Sequence, residues 1–477
     1  MPLPILNLAE MREWERATWD SGQTEAAVIR LVGKEVARRA LAMTSPGKLI
    51  LVLAGKGHNG DDARAARDYL SERRVDLLNV NDPTQDISRL ESLLSLNPDL
   101  IIDGLFGIGL DRPLDQAWCS FINRINDAKR PVLALDVPSG LDGNTGESHG
   151  ATVRATVTLT VGAPKHGLIH STAVEYVGRL EVTGNVGLVS CPVNSTLQWS
   201  LPSDFEEFPP PRSEATHKGT YGHLSIVAGS LGFHGAAVLT ARGAQRAQPG
   251  LITLFTTEAA YHPVASQLQA VMVSPHAGGV EFPKSSDAVL VGPGLAGKDV
   301  TDELKEWVRK LWTGFPGLVV IDASALDWLP RGGLEIGKVP DPNSALRVIT
   351  PHPGEAARML GIKTPEVQAD RVMALRRLSS QFANTWVVLK GHQTLVGRAD
   401  GSLFVNPSGN PHLAQGGSGD VLSGYVAGLL AQPALRKDPL LALRYAVWQH
   451  GATADWLQRS QRNWIVEELL QALGNSV

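Results

Sequence analysis

The sequence has few cysteines, little net charge and no long hydrophobic segment. Only two cysteines occur among 477 residues, which excludes a disulfide framework and a cysteine-rich zinc site and indicates a reducing compartment. Lys and Arg number 44 against 48 Asp and Glu, so no positive field attracts nucleic acid or an anionic membrane. No apolar run approaches the roughly 18 residues of a membrane-spanning helix, and charges from Glu10 onward argue against a signal peptide. We therefore expect a cytoplasmic protein that binds neither nucleic acid nor membranes.

The length predicts two or three domains at about 100 to 200 residues each. In both halves short apolar runs alternate with helical patterns, which is typical of parallel sheets covered by helices. A polar, proline-rich stretch lies at residues 200–215. We predict two α/β domains, 1–205 and 216–477, joined by a linker at 206–215. The predicted strands are 48–54, 75–80, 99–103, 131–136, 156–161, 180–183, 223–228, 251–256, 288–291, 318–322, 347–349, 387–390 and 394–397, and two helices are expected within 9–42.

A glycine-rich loop, residues 55–62, follows the first predicted strand and precedes a helical pattern. This G-x-G-x-x-G spacing lets backbone N–H groups approach a pyrophosphate; a ligand-free turn is the alternative. Polar side chains follow two further strands. Because the carboxyl ends of parallel strands share one crevice, Asn59, Asp103 and Ser139 are expected to converge as oxygen ligands of a hard monovalent cation. Alternatively, Asp103 and Asp136 cap helices or turns.

Segments 55–62, 103–110 and 135–142 together resemble the NAD(P)H-hydrate epimerase family, over roughly residues 1–205. The resemblance implies a Rossmann-like three-layer αβα sandwich, a potassium site at Asn59, Asp103 and Ser139, and Asp136 as the proton-transfer group. The residues implied to bind the hydrated nicotinamide nucleotide are His58, Asn59, Gly60, Asp61, Asp62, Gly107, Ile108, Gly109, Leu110, Asp111, Arg112, Pro113 and Asp136.

The chain departs from that family's usual Asn-Asn-Gly-Gly-Asp-Gly loop at His58, Asp61 and Ala63. Asp61 replaces a glycine where the helix N-terminus would meet the pyrophosphate. Since a carboxylate there competes with the ligand's charge, we expect weaker binding at this loop. Alternatively, Asp61 points to solvent as an ordinary first-turn helix residue or helps to hold the potassium ion.

In the second half, Gly416, Gly417 and Gly419 precede Asp420 and a helical pattern. Such a loop and the following helix dipole form an anion hole for a transferring phosphoryl group. Asp420 could accept the proton of an attacking hydroxyl or merely cap the helix. At other strand ends, residues 390–394 could wrap nucleotide phosphates, and in 350–355 Glu355 could position Mg²⁺ while His352 contacts substrate. The 13 histidines show no zinc-binding spacing.

Six segments, 218–222, 235–242, 291–295, 321–326, 350–355 and 406–420, resemble the ADP-dependent NAD(P)H-hydrate dehydratase family over roughly residues 212–477. The resemblance implies a ribokinase-like fold. It implies that the hydrated nucleotide contacts Ala237, Gly294, His352 and Asp420. It implies that ADP contacts Lys390, Gly391, His392, Gln393, Thr394, His412, Leu413, Ala414, Gln415, Gly416, Gly417, Ser418 and Gly419.

The two resemblances imply a bifunctional repair enzyme that uses ADP, Mg²⁺ and K⁺. The first domain would interconvert the R and S hydrates of NADH and NADPH, and the second would dehydrate the S form, with AMP and phosphate as by-products. We expect a homo-oligomer. Three alternatives stay open: a ribokinase-like small-molecule kinase; a hydride-transferring dehydrogenase, with Asp82 about twenty residues after the loop; and a first domain that only binds nucleotide or holds the assembly together.

Overall fold

The computed structural model describes residues 2–330 and 345–475. The chain divides into two compact units, Leu3–Thr196 and Leu197–Val477. Among the described residues, no helix combines the length and the apolar character that crossing a bilayer requires.

The first unit is built on a parallel sheet in the order β3-β2-β4-β5-β6-β7. The strands of this sheet are β2 Leu49–Ala54, β3 Arg74–Asn79, β4 Leu100–Gly104, β5 Val132–Leu135, β6 Val157–Val161 and β7 Arg179–Thr183, and a two-residue strand, β1 Leu3–Pro4, lies outside it. Its helices are α1 Leu8–Asp20, α2 Glu25–Met43, α3 His58–Arg67, α4 Pro83–Leu94, α5 Gln116–Asp127 and α6 Val174–Val177.

Helices cover both faces of this sheet, which confirms the three-layer αβα arrangement. Strand β2 is apolar and buried along its whole length, as expected of a strand covered on two sides. One apolar cluster joins the sheet to α2 and α3, and a second joins it to α4 and α5. The two leading helices are also confirmed: Asn7 forms a capping box with Glu10 at the start of α1, and Thr24 caps α2.

In the second unit the strands lie in the order β8-β17-β16-β15-β14-β13-β12-β9-β10-β11. They are β8 Leu197–Trp199, β9 His223–Val227, β10 Leu251–Thr257, β11 Met272–His276, β12 Ala288–Val291, β13 Leu318–Ile321, β14 Arg347–Ile349, β15 Trp386–Leu389, β16 Leu395–Gly397 and β17 Leu403–Val405. The helices are α7 His234–Ala247, α8 Glu258–Ala265, α9 Asp302–Gly314, α10 Pro353–Leu360, α11 Thr364–Ala369, α12 Arg371–Gln381, α13 Ser418–Ala431, α14 Pro439–Ser460 and α15 Val466–Ala472. Strand β16 runs antiparallel to β15 and β17; the other pairs are parallel.

Helix α13, which begins two residues before Asp420, is held against α7 by glycines. A Cβ on Gly424 would lie 2.0 Å from the carbonyl oxygen of Thr240, and one on Gly243 would lie 2.4 Å from that of Val421. Larger side chains would therefore push the helices apart. This close contact fixes the start of α13 and the glycine loop that leads into it.

The second compact unit begins before the proline-rich stretch. Strand β8 pairs with β17, and Asp204 forms a buried ion pair with Arg444 of α14. The ring of Phe205 lies 5.1 Å from that of Trp448. The compact units thus divide after residue 196, nine residues before the predicted end of the first domain; the limits of the functional domains stay a prediction.

Candidate active sites

A cavity of about 900 Å³ opens at the carboxyl ends of β2, β4 and β5 in the first unit. Its walls are the glycine-rich loop after β2, the segment after β4, Asp136 after β5, and residues of α1 and α2. The aromatic side chains of Trp19, Phe106 and Trp118 supply apolar surface suited to planar rings. Of the residues predicted to bind the hydrated nucleotide, those lining the cavity are His58, Asn59, Asp62, Gly107, Ile108, Gly109, Leu110, Asp111, Arg112, Pro113 and Asp136.

Gly60 and Asp61 lie outside this lining. A Cβ on Gly60 would lie 2.0 Å from the carbonyl oxygen of Gly55, so the glycine lets the loop close on itself. The Asp61 carboxylate lies 2.7 Å from the Arg64 guanidinium, which also donates to the backbone of Gly55 and the side chain of Asn79. Arg64 thus offsets part of the charge of Asp61, and the expected competition with a pyrophosphate stays a prediction.

The three predicted cation ligands come together around Phe106. Ser139 donates its hydroxyl to Asp103 Oδ1 (2.6 Å) and its N–H to Oδ2 (2.9 Å), and it accepts the N–H of Phe106. Asn59 Nδ2 donates to the Phe106 carbonyl (2.8 Å), while Asn59 Oδ1 has no partner among the described residues. Burial raises the pKa of Asp103. These carboxylate, hydroxyl and amide oxygens fit a hard monovalent cation.

Lys165, which was not predicted as a site residue from the sequence, pairs with Asp136. The Lys165 side chain is fully buried, and its ammonium contacts the Asp136 carboxylate as well as Thr160 Oγ1 (3.0 Å) and the Val161 carbonyl (2.9 Å). Asp136, with a positive φ of 60°, also accepts the N–H of Val161. The available signal was a lysine four residues after the end of a largely buried strand, followed two residues later by glycine.

Two further carboxyl groups face the cavity, Glu15 from α1 and Asp62 from α3. Neither has a hydrogen bond or ion pair among the described residues. Burial and the charge of Asp136 raise the pKa of Glu15. Burial, followed by the charges of Asp136, Asp61 and Glu15, raises the pKa of Asp62 to about 8. Asp62 therefore holds a proton near neutral pH.

In the second unit Lys390, Asp322, Glu355 and Asp420 form one buried charged cluster. Lys390 Nζ donates to Asp322 Oδ1 at 2.8 Å and lies 3.9 Å from Glu355 Oε2. Burial, followed by the charge of Asp322 and that of Glu355, raises the pKa of Asp420 to about 7, while Lys390 opposes the rise. Asp420 is therefore close to half ionised at neutral pH, as suits a general base. Segment 321–326 carries part of the dehydratase resemblance, but no role for Asp322 was predicted from it.

The predicted phosphate-binding loops lie beside this cluster. A Cβ on Gly419 would lie 3.6 Å from Lys390 Nζ, so the glycine loop 416–419 borders the ammonium group. The buried His450 ring lies 3.1 Å from the Ser418 carbonyl, and burial lowers its pKa to about 4, so a neutral ring supports the loop. Arg371 donates to the carbonyls of Leu389, Lys390, His392 and Gln393 and thereby braces segment 390–394.

The other predicted dehydratase residues occupy two places. His352 caps α10: its Nδ1 accepts the N–H groups of Gly354 and Glu355, and its own N–H donates to the Glu355 carboxylate. Ala237, in the first turn of α7, and Gly294, after β12, both lie close to Gly229, which follows β9. Glu355 also lines a cavity of about 400 Å³.

Among the described residues, no group of three or more His, Cys, Asp or Glu side chains is arranged to hold a metal ion.

Segment 410–415 is held in place by contacts with α14 and with the loop between α14 and α15. Gln415 Nε2 donates to the carbonyls of His412 (2.7 Å) and Trp464 (3.2 Å), and the rings of His412 and Trp464 lie 6.3 Å apart. Asn410 donates to Asp455 of α14. These contacts place the segment at the edge of the glycine loop.

Comparisons with known proteins match both units. Residues 77–167 match the family described as YjeF-related protein N-terminus, and residues 224–474 match NAD(P)H-hydrate dehydratase. The bifunctional NAD(P)H-hydrate repair enzyme Nnr of Gloeobacter violaceus is 34% identical over 95% of this chain and 93% of its own. That of Coxiella burnetii is 32% identical over 94% and 93%.

Among solved structures, the ADP/ATP-dependent NAD(P)H-hydrate dehydratase of Bacillus subtilis, co-crystallized with ATP/Mg²⁺, is 31% identical. The match covers 56% of this chain and 92% of the Bacillus subtilis chain, with a TM-score of 0.49. The two full-length relatives each align with nearly the whole chain, and both bear the same name. The chain therefore belongs to the family of bifunctional NAD(P)H-hydrate repair enzymes.

Proposed function

We propose that the two units divide the repair of hydrated NADH and NADPH. The first interconverts the R and S hydrates, and the second uses ADP to dehydrate the S hydrate, giving NAD(P)H, AMP and phosphate. The observation that carries this proposal is that each unit has a site of its own with the chemistry for one reaction: a cavity lined by carboxyl groups in the first, and Asp420 beside a glycine loop and Lys390 in the second.

In the dehydratase site, Asp420 accepts the proton of the ring hydroxyl while the oxygen attacks the terminal phosphorus of ADP. AMP leaves, and the phosphorylated oxygen then departs as phosphate while the neighbouring ring carbon loses a proton and the double bond re-forms. Lys390 and the N–H groups of residues 416–419 stabilise the charge that develops on the phosphoryl group. The contacts of these groups with one another, described above, support the assignment.

Mg²⁺ fits Glu355 as a protein ligand shared with the nucleotide. Magnesium is commonly held by one or two carboxylates together with substrate phosphates, and Glu355 lies in a charged cluster with more acids than bases. When bound, the ion would neutralise charge on the phosphates. The Glu355→Gln variant should therefore require more Mg²⁺ for half-maximal dehydration.

In the epimerase site, the hydrate presents a hydroxyl on the ring carbon next to nitrogen, because an enamine adds water there. Breaking that bond leaves a cationic ring, and the Asp136 carboxylate, held by Lys165, is the group we assign to stabilise it and to transfer protons. Potassium fits Asn59, Asp103 and Ser139, where it would supply positive charge for the substrate's phosphates. Melting temperatures in K⁺ and in choline, compared for the wild type and Asp103→Asn, test this site.

The cytoplasmic location and a homo-oligomeric state are also part of the proposal. Both cysteines are free thiols, which fits a reducing compartment. Cell fractionation and light scattering test these two points. For the reactions themselves, purified S hydrate with ADP should yield NAD(P)H, AMP and phosphate in equal amounts, whereas a small-molecule kinase would leave a stable phosphorylated product.

A further inference from the structure

Within the part of the chain that the structure describes, the carboxyl group of Asp62 makes no polar contact that would stabilise the fold. Helix α3 turns it toward the 900 Å³ cavity, where it is half-buried and has no hydrogen bond or ion pair among the described residues. Its neighbour Asp61 pairs with Arg64 outside the lining. Burying a carboxyl group without partners costs free energy, so the fold gains nothing from Asp62 in this place.

The surroundings of Asp62 and Asp136 differ in hydrogen-bond donors. Asp136 contacts the Lys165 ammonium, the Val161 N–H (3.0 Å) and the Thr160 hydroxyl (3.2 Å). Asp62 contacts no donor. When two carboxyl groups in one site have such unlike environments, the proton resides on the group without donors. Among the carboxyl groups of the cavity, Asp62 is thus offered to the ligand as a carboxylic acid and Asp136 as a carboxylate.

We propose that Asp62 is a catalytic acid–base residue of the epimerase reaction. The proposal deepens the function above and rests on the assignment of epimerisation to the first unit. Asp62 gives its proton to the ring hydroxyl, the carbon–oxygen bond breaks with its electron pair on oxygen, and water leaves. The lone pair of the ring nitrogen forms a C=N bond in the cationic ring.

Water then adds to the opposite face of the ring and restores the lone pair to nitrogen. Asp136 takes the proton of the incoming water and returns it to Asp62 through water in the cavity, so no proton is gained or lost over the cycle. Because the reaction is reversible, the same two groups serve both epimers.

The charges around Asp62 favour this division of roles. Burial and the neighbouring carboxylates raise its pKa to about 8, so it holds a proton at neutral pH. Of the charged and titratable groups around Asp62 and Glu15, those that line the cavity are Glu15 and Arg12 of α1, His58 of α3 and Asp136 after β5, while Asp61 of α3 and Lys165 after β6 lie outside the lining. Only Lys165 is both cationic and fully buried, and it contacts Asp136.

The test compares Asp62→Asn, Asp62→Glu and Asp68→Asn in the full chain, with purified R hydrate as substrate. Asp68 ends the same helix, is exposed and lies outside the cavity lining, so its variant controls for loss of a carboxyl group on α3. ADP-dependent dehydration of S hydrate, measured on each variant, reports on the second unit, and the urea unfolding of the first unit reports on its folding.

We expect Asp62→Asn to lower the epimerase kcat by about 10² to 10⁴ with KM changed less than threefold, and Asp62→Glu to recover at least tenfold of that loss. The wild-type kcat should fall above about pH 8, and the residual activity of Asp62→Asn should lack this fall. Epimerase kcat above a tenth of wild type in Asp62→Asn, or a loss confined to KM, overturns the proposal. A wild-type chain that does not epimerise at all would instead overturn the proposed function.

Discussion

Replacing Asp322 should make the dehydratase work at lower pH. Dehydration requires Asp420 ionised, and with a pKa of about 7 its ionised fraction rises from about a tenth at pH 6 to about nine-tenths at pH 8, so the wild-type kcat should rise roughly tenfold over that range. After burial, Asp322 is the largest cause of the raised pKa of Asp420. Asp322→Asn removes that charge and should move the rise of activity toward acid.

The size of the effect follows from the charges in the cluster. Taking a separation of about 6 Å between the two carboxylates and an effective dielectric constant of about 20, the repulsion is roughly 3 kcal/mol, equivalent to about two pH units. Lys390 lies 2.8 Å from Asp322 and already offsets part of this repulsion. Without Asp322 that ammonium is free to favour ionised Asp420. We therefore expect the midpoint of the profile to fall by about one pH unit.

Steady-state dehydration of S hydrate between pH 5 and 9, at saturating ADP and Mg²⁺, measures the midpoint. Asp302→Asn is the matched control, because Asp302 is exposed and pairs only with Lys305 among the described residues. Lys390→Met should move the midpoint the other way, since Lys390 lowers the pKa of Asp420. An Asp322→Asn profile that keeps the wild-type midpoint, or moves to higher pH, would refute the electrostatic account of Asp420.

Three further outcomes are expected. Asp420→Asn should lower dehydration by about 10² to 10⁴ and leave epimerisation of R hydrate unchanged; dehydration above a tenth of wild type would exclude Asp420 as the base. Lys165→Met leaves the buried Asp136 carboxylate without its ion-pair partner. It should lower the free energy of unfolding of the first unit, measured in urea, by about 3 to 5 kcal/mol. A second-unit fragment that starts at residue 206 loses Asp204 and leaves Arg444 buried, so it should melt below one that starts at 197; equal melting temperatures would contradict this.

Much of the fold could be predicted because its central strands are continuous apolar runs. Strand β2, with six buried apolar residues, and β12, with four, end in glycine or polar loops that mark their limits. Family membership also confirms the Rossmann-like and ribokinase-like fold classes that the resemblances implied. The short strands β8 and β17, with three residues each, carry too little pattern to be predicted; β8 pairs with β17, which also pairs with β16.

The loops of both sites could be placed because they follow strand ends, where polar and glycine residues stand out. The side chains that surround these loops could not be predicted. Lys165 reaches Asp136 across 29 positions of the chain, and Lys390 reaches Asp322 across 68. Glu15 comes to the cavity from a helix that shows only ordinary amphipathic spacing. Such partners depend on tertiary packing, which local periodicity does not encode.

The most direct test of the bifunctional account is to give the full chain purified R hydrate with ADP, Mg²⁺ and K⁺, and to follow both epimers, NAD(P)H, AMP and phosphate. The wild type should convert all R hydrate to NAD(P)H faster than the uncatalysed interconversion, with one AMP and one phosphate for each molecule restored. Asp420→Asn should instead accumulate S hydrate without AMP. Conversion no faster than the uncatalysed interconversion, or a stable phosphorylated product, would contradict the account.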